Sequence, residues 1–333
     1  MYNETRQLVR VATLYYKHQL LQSEIAERVG VSRQTVGRLL QRANELGLVK
    51  VEIQQPFAYA TDLELRLEQV FGLTEAIVAV PLDDDDATTK AAIGGAAATF
   101  VQERVRDGDI LGLSSGSTTL YECALRIKAA QMPNLTVVSL TGSAPHNFST
   151  PNVDLSVMLI GQALGGRTVL LPAPRFVDTA EIKTSLINDS GIASVLRLGC
   201  QANIMLLGVG VISEDSTTYR DGYFTKDLLE SMYQRGAVGE ILGHAFDEKG
   251  VRRFPEICDR SVGIEPECVR GKSMSVAVAG GAAKVESLWG AIQGAYFNIL
   301  ITDSNAARGL LELAERRGVA PRTLARVRKK RSQ

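Results

Sequence analysis

Residues Gln22–Gln41, QSEIAERVGVSRQTVGRLLQ, read as two short helices joined by a tight corner. Ile25, Ala26 and Val29 recur at helical spacing and predict the buried face of the first helix. Gly30 stands at the corner, where a residue without a Cβ takes the left-handed conformation at little cost. Val31 turns back inward, and Ser32 is a strong N-cap for the second helix. That helix keeps Val36, Leu39 and Leu40 for the core. Small Ala26 allows the two helices to cross closely. The pattern is a helix-turn-helix, whose second helix lies in the DNA major groove. An ordinary amphipathic hairpin has the same apolar spacing, so the outward set carries the reading. Arg and Gln hydrogen-bond guanine and adenine edges, and Ser and Thr reach phosphates. The candidate DNA contacts are Ser32, Arg33, Gln34, Thr35, Arg38, Gln41 and Arg42.

The flanks agree. Glu4–His18 places Leu8, Val11, Ala12 and Tyr15 on one face of a supporting helix. Asn44-Glu45-Leu46-Gly47 ends the second helix at a glycine. Leu48–Gln54 (LVKVEIQ) alternates apolar and polar residues, as a strand or short wing does. From Met1 to Gln55 there are eight Lys and Arg against five acids, and four of the eight lie from Arg28 to Arg42. Positive charge is therefore concentrated where phosphates would pass. The expected first domain is a winged helix-turn-helix over 1–55, followed by a linker over 56–60.

The whole chain has 333 residues, with 37 Lys and Arg balanced by 37 Asp and Glu. That neutrality argues against general coating of nucleic acid and fits a small basic head on a neutral body. The four cysteines, Cys123, Cys200, Cys258 and Cys268, form no CxxC pair, which argues against zinc. They read as buried free thiols. No metal or cofactor is expected. No signal peptide is read at the N-terminus, and no apolar run approaches the roughly 18–20 residues of a membrane span, so a cytoplasmic protein without a membrane partner is expected.

Beyond the linker, Thr61–Phe71 predicts a helix with Leu63, Leu67 and Val70 on one side. Seven short apolar runs read as strands: Ala76–Val80, Ile110–Ser114, Thr136–Leu140, Thr168–Leu171, Asn203–Gly208, Ser275–Ala279 and Asn298–Thr302. Helical segments fill gaps at Thr88–Val105, Thr118–Ala130, Val153–Leu164, Asp178–Asn188, Thr225–Gln234, Ala282–Ala295 and Ser304–Glu315. This alternation predicts a mostly parallel sheet covered on both faces, in a domain over 61–320. Ligands of such sheets bind outside the carboxyl ends of the strands.

Those ends carry candidate site residues. Ile110–Thr119 (ILGLSSGSTT) runs a strand into a Gly- and hydroxyl-rich turn and then a helix. Such a turn suits a phosphate, although a plain capping turn has a similar composition. It lacks the GK[ST] of a P-loop NTPase. Its candidate residues are Ser115, Gly116, Ser117, Thr118 and Thr119. Arg175 follows the Pro-rich turn LLPAP as a candidate anion partner. Glu240 in GAVGE and Asp247 in FDEKG are candidate acceptors for sugar hydroxyls, Asp247 also reading as a turn residue. Lys284 in VAGGAAK sits in the first turn of a predicted helix, where a cation opposes the helix dipole unless an anion lies beside it. The run Asp83–Asp86 reads as a solvated loop.

Taken in order, LYYKHQLLQSEIAERVGVSRQTVGRLL, SSGSTT, LLPAP, GAVGE with FDEKG, and VAGGAAK with LITD resemble the SorC family of bacterial sugar-responsive transcriptional regulators. The resemblance spans nearly the whole chain. It implies a Rossmann-like effector domain similar to phosphosugar isomerases. In it Gly116, Ser117, Thr118 and Thr119 would hold an effector phosphate, with Lys284 in the pocket. It also implies homodimers or homotetramers and operator binding controlled by a phosphorylated sugar or polyol. Arg322–Arg331 (RTLARVRKKR) extends beyond the family pattern and reads as a basic tail, 321–333, adding nonspecific DNA affinity. Two other readings share these motifs. One is an isomerase fused to a DNA head, with Glu240, Asp247 or Asp303 as base. The other is a regulator of an unphosphorylated sugar. His18, His146 and His244 form no acid–base cluster, which weighs against the enzyme.

Overall fold

The computed structural model describes residues 2–49, 60–114, 117–143 and 153–319, and the chain divides into two compact units, Met1–Phe57 and Ala58–Gln333. In the first, α1 (Tyr2–Tyr16), α2 (Gln22–Val29) and α3 (Arg33–Glu45) enclose Leu8, Val11, Ile25, Ala26, Val36, Leu40 and Ala43. Gly30 takes the left-handed conformation, φ 71°, and its amide returns to the Ala26 carbonyl. Ser32 caps α3 by accepting the Thr35 amide at 3.1 Å. Tyr15, which spacing assigns to the inner face of α1, is exposed. Leu14 packs on the core instead, and the Tyr15 ring stands edge-on to Tyr16. Of the expected wing and linker, only Leu48, Val49 and Ala60 are described, and none of them is in a strand. The basic tail lies outside the described residues.

The second unit opens with α4 (Thr61–Phe71), β1 (Glu75–Ala79), α5 (Asp86–Arg104), β2 (Ile110–Leu113), α6 (Thr118–Ala124), β3 (Thr136–Ser139), α7 (Val153–Leu164) and β4 (Arg167–Val169). It continues with α8 (Ala180–Asn188), α9 (Ser190–Gln201), β5 (Ile204–Leu207), β6 (Val209–Val211), α10 (Thr217–Arg220), α11 (Lys226–Gln234), β7 (Ala237–Ile241), β8 (His244–Asp247) and α12 (Pro255–Cys258). It closes with β9 (Met274–Val278), α13 (Val285–Gln293), β10 (Ile299–Asp303) and α14 (Ser304–Arg316). The seven apolar runs form one sheet in the order β1-β10-β9-β5-β2-β3-β4, parallel at every pairing. Alternate strand residues feed two cores. Leu111, Leu113, Ile204 and Leu206 join α5, α6 and α7, while Met205, Leu207, Ala277 and Leu300 join α4, α13 and α14. The five inner strands β10, β9, β5, β2 and β3 are buried on both faces and so have no solvent side, which is why their runs are mostly apolar rather than alternating. From β2 the chain steps to β3 and β4; from β5 it steps the other way to β9 and β10. The direction of winding therefore reverses between β2 and β5, and the crevice of a doubly wound sheet lies there.

Some features carry no sequence expectation. The antiparallel sheet β6-β7-β8 covers a satellite core of Phe176, Phe224, Met232 and Phe254. Its hairpin turns through Leu242 and Gly243, φ 53° and 77°. The helix expected from Ala282 begins as a 3-10 turn, Ala282–Lys284, and α6 stops at Ala124 rather than Ala130. The expectation of four free thiols fails for two of them. Cys200 at the end of α9 and Cys268 in the 3-10 turn Pro266–Val269 form a disulfide, with Cα atoms 5.2 Å apart. Sixty-eight residues separate them in sequence, so spacing carried no signal and only packing makes the pair. Cys123 and Cys258 are free and buried.

Among the described residues, no helix is long and apolar enough to cross a membrane, and no group of three or more His, Cys, Asp and Glu side chains is arranged to hold a metal.

Candidate functional site

Two surfaces carry the chemistry. On the first unit, α3 buries Val36, Leu40 and Ala43 and exposes Arg33, Gln34, Arg38, Gln41 and Arg42. Arg33, Gln34 and Arg38 make no hydrogen bond or ion pair among the described residues, so their donors are available. Ser32 and Thr35 are bound to each other, hydroxyl to hydroxyl at 2.8 Å, as part of the cap. Gln41 and Arg42 both lean on Glu45, at 3.0 and 3.1 Å. Exposed pairs of this kind contribute little and exchange easily for phosphate.

On the second unit, the polar residues meet at Gly208-Val209-Gly210, where β5 passes into β6 beside the reversal of winding. The Ser114 hydroxyl accepts the Gly208 amide at 2.8 Å. A Cβ on Gly208 would lie 2.9 Å from that of Ser117, so the glycine lets the hydroxyl turn close on the strand. The Val209 carbonyl accepts the Lys284 ammonium. A Cβ on Gly210 would fall 2.6 Å from the Glu240 Cγ, so this glycine admits the carboxylate. Three successive residues thus gather Ser117, Lys284 and Glu240. Thr118 and Thr119 open α6 in the same turn; Ser115 and Gly116 lie outside the described residues.

Arg175 completes the cluster. Its backbone is stitched on both sides, its amide to the Ser143 carbonyl and its carbonyl to the Val262 amide, each at 2.8 Å. Its Nη2 donates to both Glu240 oxygens, at 2.8 and 2.9 Å, and the Thr218 hydroxyl donates to one of them at 3.2 Å. The ion pair is dry: Arg175 is 2% exposed and Glu240 7%. Arg175 Nε and Nη1 and the Tyr223 hydroxyl are buried without hydrogen-bond partners among the described residues. Burial pushes the Tyr223 phenol up to about 12 despite the nearby Arg175. Burial also lowers Lys284 to about 8, the Glu240 carboxylate opposing that fall. Tyr223 and Phe176 border a cleft of about 430 Å³ whose polar wall is Ser143 and Asp154.

Asp247 does not join the cluster. Its carboxylate closes the turn after β8, accepting the Lys249 and Val251 amides at 2.9 Å and pairing with Arg253 at 3.2 Å. Asp303 likewise caps α14 and accepts the Gly281 amide. Sequence reading missed Gly208, Gly210, Thr218 and Tyr223. The only trace of them was the GVG that interrupts an apolar run.

A helical unit with a free basic recognition face, together with a doubly wound α/β unit whose polar residues cluster at its winding reversal, fits a transcriptional regulator. A sugar-binding domain family model matches residues 55–312, and a MarR family model matches 9–56. The chain belongs to the SorC family of sugar-binding transcriptional regulators. It is similar to the deoxyribonucleoside regulator of Bacillus subtilis (strain 168), 36% identical over 312 residues covering 93% of this chain and 99% of that one. It is 30% identical over 314 residues to the transcriptional regulator LsrR of Escherichia coli (strain K12), covering 92% and 95% of the two chains. The crystal structure of the full-length sorbitol operon regulator SorC from Klebsiella pneumoniae shares the fold, with TM-score 0.71 over 93% of this chain and 99% of that one at 23% identity.

Proposed function

We propose that this chain binds operator DNA through α3 and is controlled by a phosphorylated sugar or polyol held around Gly208–Gly210. The observation that carries the ligand is the convergence of Ser117, Lys284 and Glu240 on three consecutive backbone residues, with Arg175 joined to them through Glu240. The turn Ser117–Thr119 and the Lys284 ammonium supply donors for a phosphate. Glu240 and the two unpartnered nitrogens of Arg175, Nε and Nη1, face sugar oxygens as acceptor and donors. Thr118 and Thr119 belong to the phosphate end; the other two candidates of that turn, Ser115 and Gly116, lie outside the described residues. Every carboxylate offered as an isomerase base is already engaged: Glu240 by Arg175, Asp247 by its turn, Asp303 by its cap. The site therefore fits sensing rather than catalysis, in a cytoplasmic homodimer or homotetramer whose paired heads read two half-sites.

The mechanism is a population shift. An effector bridging the β2–α6 turn, β7 and Lys284 favours the arrangement of the body in which those elements are drawn together. Operator affinity changes only by the effector's differential affinity for the two arrangements.

The test is thermal unfolding of the full chain against free sugars, polyols, deoxyribonucleosides and their phosphate esters. The name of the Bacillus relative puts deoxyribonucleosides first. A ligand bound to the native state raises its stability by mass action. A selective shift with one phosphate ester, lost when Thr118 and Thr119 are both replaced by Ala, is expected. Shifts with unphosphorylated ligands alone would remove the phosphate from the reading. A merely few-fold loss of affinity in the double variant would do the same.

A further inference from the structure

A second polar cleft, of about 370 Å³, lies between α8, β8, α12 and the segment before the 3-10 turn at Pro266. It is lined by Lys183, His244, Arg252, Cys258, Asp259 and Glu265. None of these residues belongs to the cluster at Gly208–Gly210. Three nitrogen donors converge there on one carboxylate, that of Glu265. Lys183 Nζ lies 3.1 Å from its Oε1, Arg252 Nη1 lies 3.1 Å from its Oε2, and His244 Nε2 stands 3.7 Å from the same oxygen.

His244 is the informative member. It is 1% exposed, and its Nε2 has no hydrogen-bond partner among the described residues. Burial holds its imidazole down to about 4, with Lys183 and Arg252 adding to that and Glu265 and Glu267 opposing it. The ring is therefore neutral at physiological pH. Arg252, which can only donate, faces Nδ1 at 3.5 Å. That leaves the proton on Nε2. A buried N–H points into the cleft and falls short of the one acceptor before it. Such groups are rare because each costs its full desolvation.

Glu265 is the most exposed member of the group. Its side chain is 47% exposed, against 12% for Lys183 and 28% for Arg252, so it can turn out into solvent while the donors stay in place. Arg252 keeps Glu267 through its other nitrogen, at 2.6 Å, when Glu265 leaves. What then faces the cavity is an ammonium, a guanidinium N–H and an imidazole N–H, a donor set shaped around a carboxylate.

We propose that this cleft is a second ligand site that takes a small organic carboxylate, seated where the Glu265 side chain now lies. Glu265 acts as a built-in competitor, and the incoming carboxylate exchanges for it. The bond that His244 Nε2 lacks is made by the ligand, whose position the backbone of Glu265 does not restrict. This site does not depend on the identity of the effector at Gly208–Gly210.

The experiment titrates the full-length protein with succinate, acetate, inorganic phosphate and chloride at constant ionic strength, by calorimetry and thermal unfolding. Glu265→Ala, at a half-exposed position, should bind succinate at least about tenfold more tightly than the unsubstituted chain, because the competitor is gone. Adding Lys183→Gln should abolish that gain. If folded Glu265→Ala responds to succinate no more than to chloride, the site is overturned. Equal binding of phosphate and succinate would overturn the carboxylate assignment. Undiminished binding in Glu265→Ala/Lys183→Gln would place the ligand elsewhere.

Discussion

Glu240 is the residue on which the body's polar cluster depends. It satisfies one edge of a buried guanidinium, and its side chain is admitted by Gly210 on the neighbouring strand. Replacing Glu240 by Gln keeps the shape and removes the charge, leaving Arg175 buried without compensation. The expected cost is about 3 kcal/mol of stability, read from urea unfolding. A loss below about 1 kcal/mol would mean that another anion compensates Arg175. Lys284 makes a second prediction at this scale. Its ammonium is held to about 8, so an anionic effector meets a charged partner below that pH and a neutral amine above it. Effector affinity should be highest below about pH 8 and fall as pH rises through it, and calorimetry at successive pH values reads the change. Lys284→Met should be weak and flat across the same range. An unsubstituted chain that is equally flat would take Lys284 out of the pocket.

At the scale of elements, α3 does two jobs with separate residues. Ser32 holds its start, and Ser32→Ala should lower the stability of the head by about 1 kcal/mol, measured by its thermal transition. Arg33, Gln34 and Arg38 stand free on the outer face. Arg33→Ala or Gln34→Ala should cost about 1–3 kcal/mol on the preferred operator and relax choice at one or two base pairs. Arg42→Ala should instead weaken all DNA alike, because its guanidinium rests on Glu45 and is suited to phosphate. Binding to a panel of single-base operator variants separates these outcomes. Uniform loss from all three would put another element in the groove.

Across the whole molecule, the disulfide joins the last turn of α9 to the segment that leads into β9. It closes a loop of 68 residues that contains the entire small sheet. Cross-linking a loop of that length restricts the unfolded chain by about 2–4 kcal/mol. A dithiol reductant should therefore lower the unfolding temperature of the body. The paired variant Cys200→Ser/Cys268→Ser should match the reduced protein and not respond further. A thermal transition unmoved by reductant would show that the cross-link adds nothing to stability. Cys123 remains outside this chemistry, since burial lifts its thiol to about 12.

Local signals determined the three helices of the head and the seven-stranded sheet. Helical spacing, a corner glycine and a serine cap are short-range, and a strand buried on both faces writes itself as an apolar run. The candidate contacts of α3 were legible for the same reason, since facing out follows from facing in. The small sheet was not legible, because its hairpin turn holds Leu242 at φ 53° where Asn or Gly is usual. Burying that side chain contributes about 2 kcal/mol and outweighs a backbone cost of about 1 kcal/mol, so packing overrode turn chemistry. The turn that Asp247 closes was legible too, since its carboxylate takes amides only two and four residues on. Tertiary structure alone decided two things: which polar residues meet at Gly208–Gly210, and that two of four cysteines are joined. Each of these brings together residues far apart in the chain, and no local pattern records such a meeting.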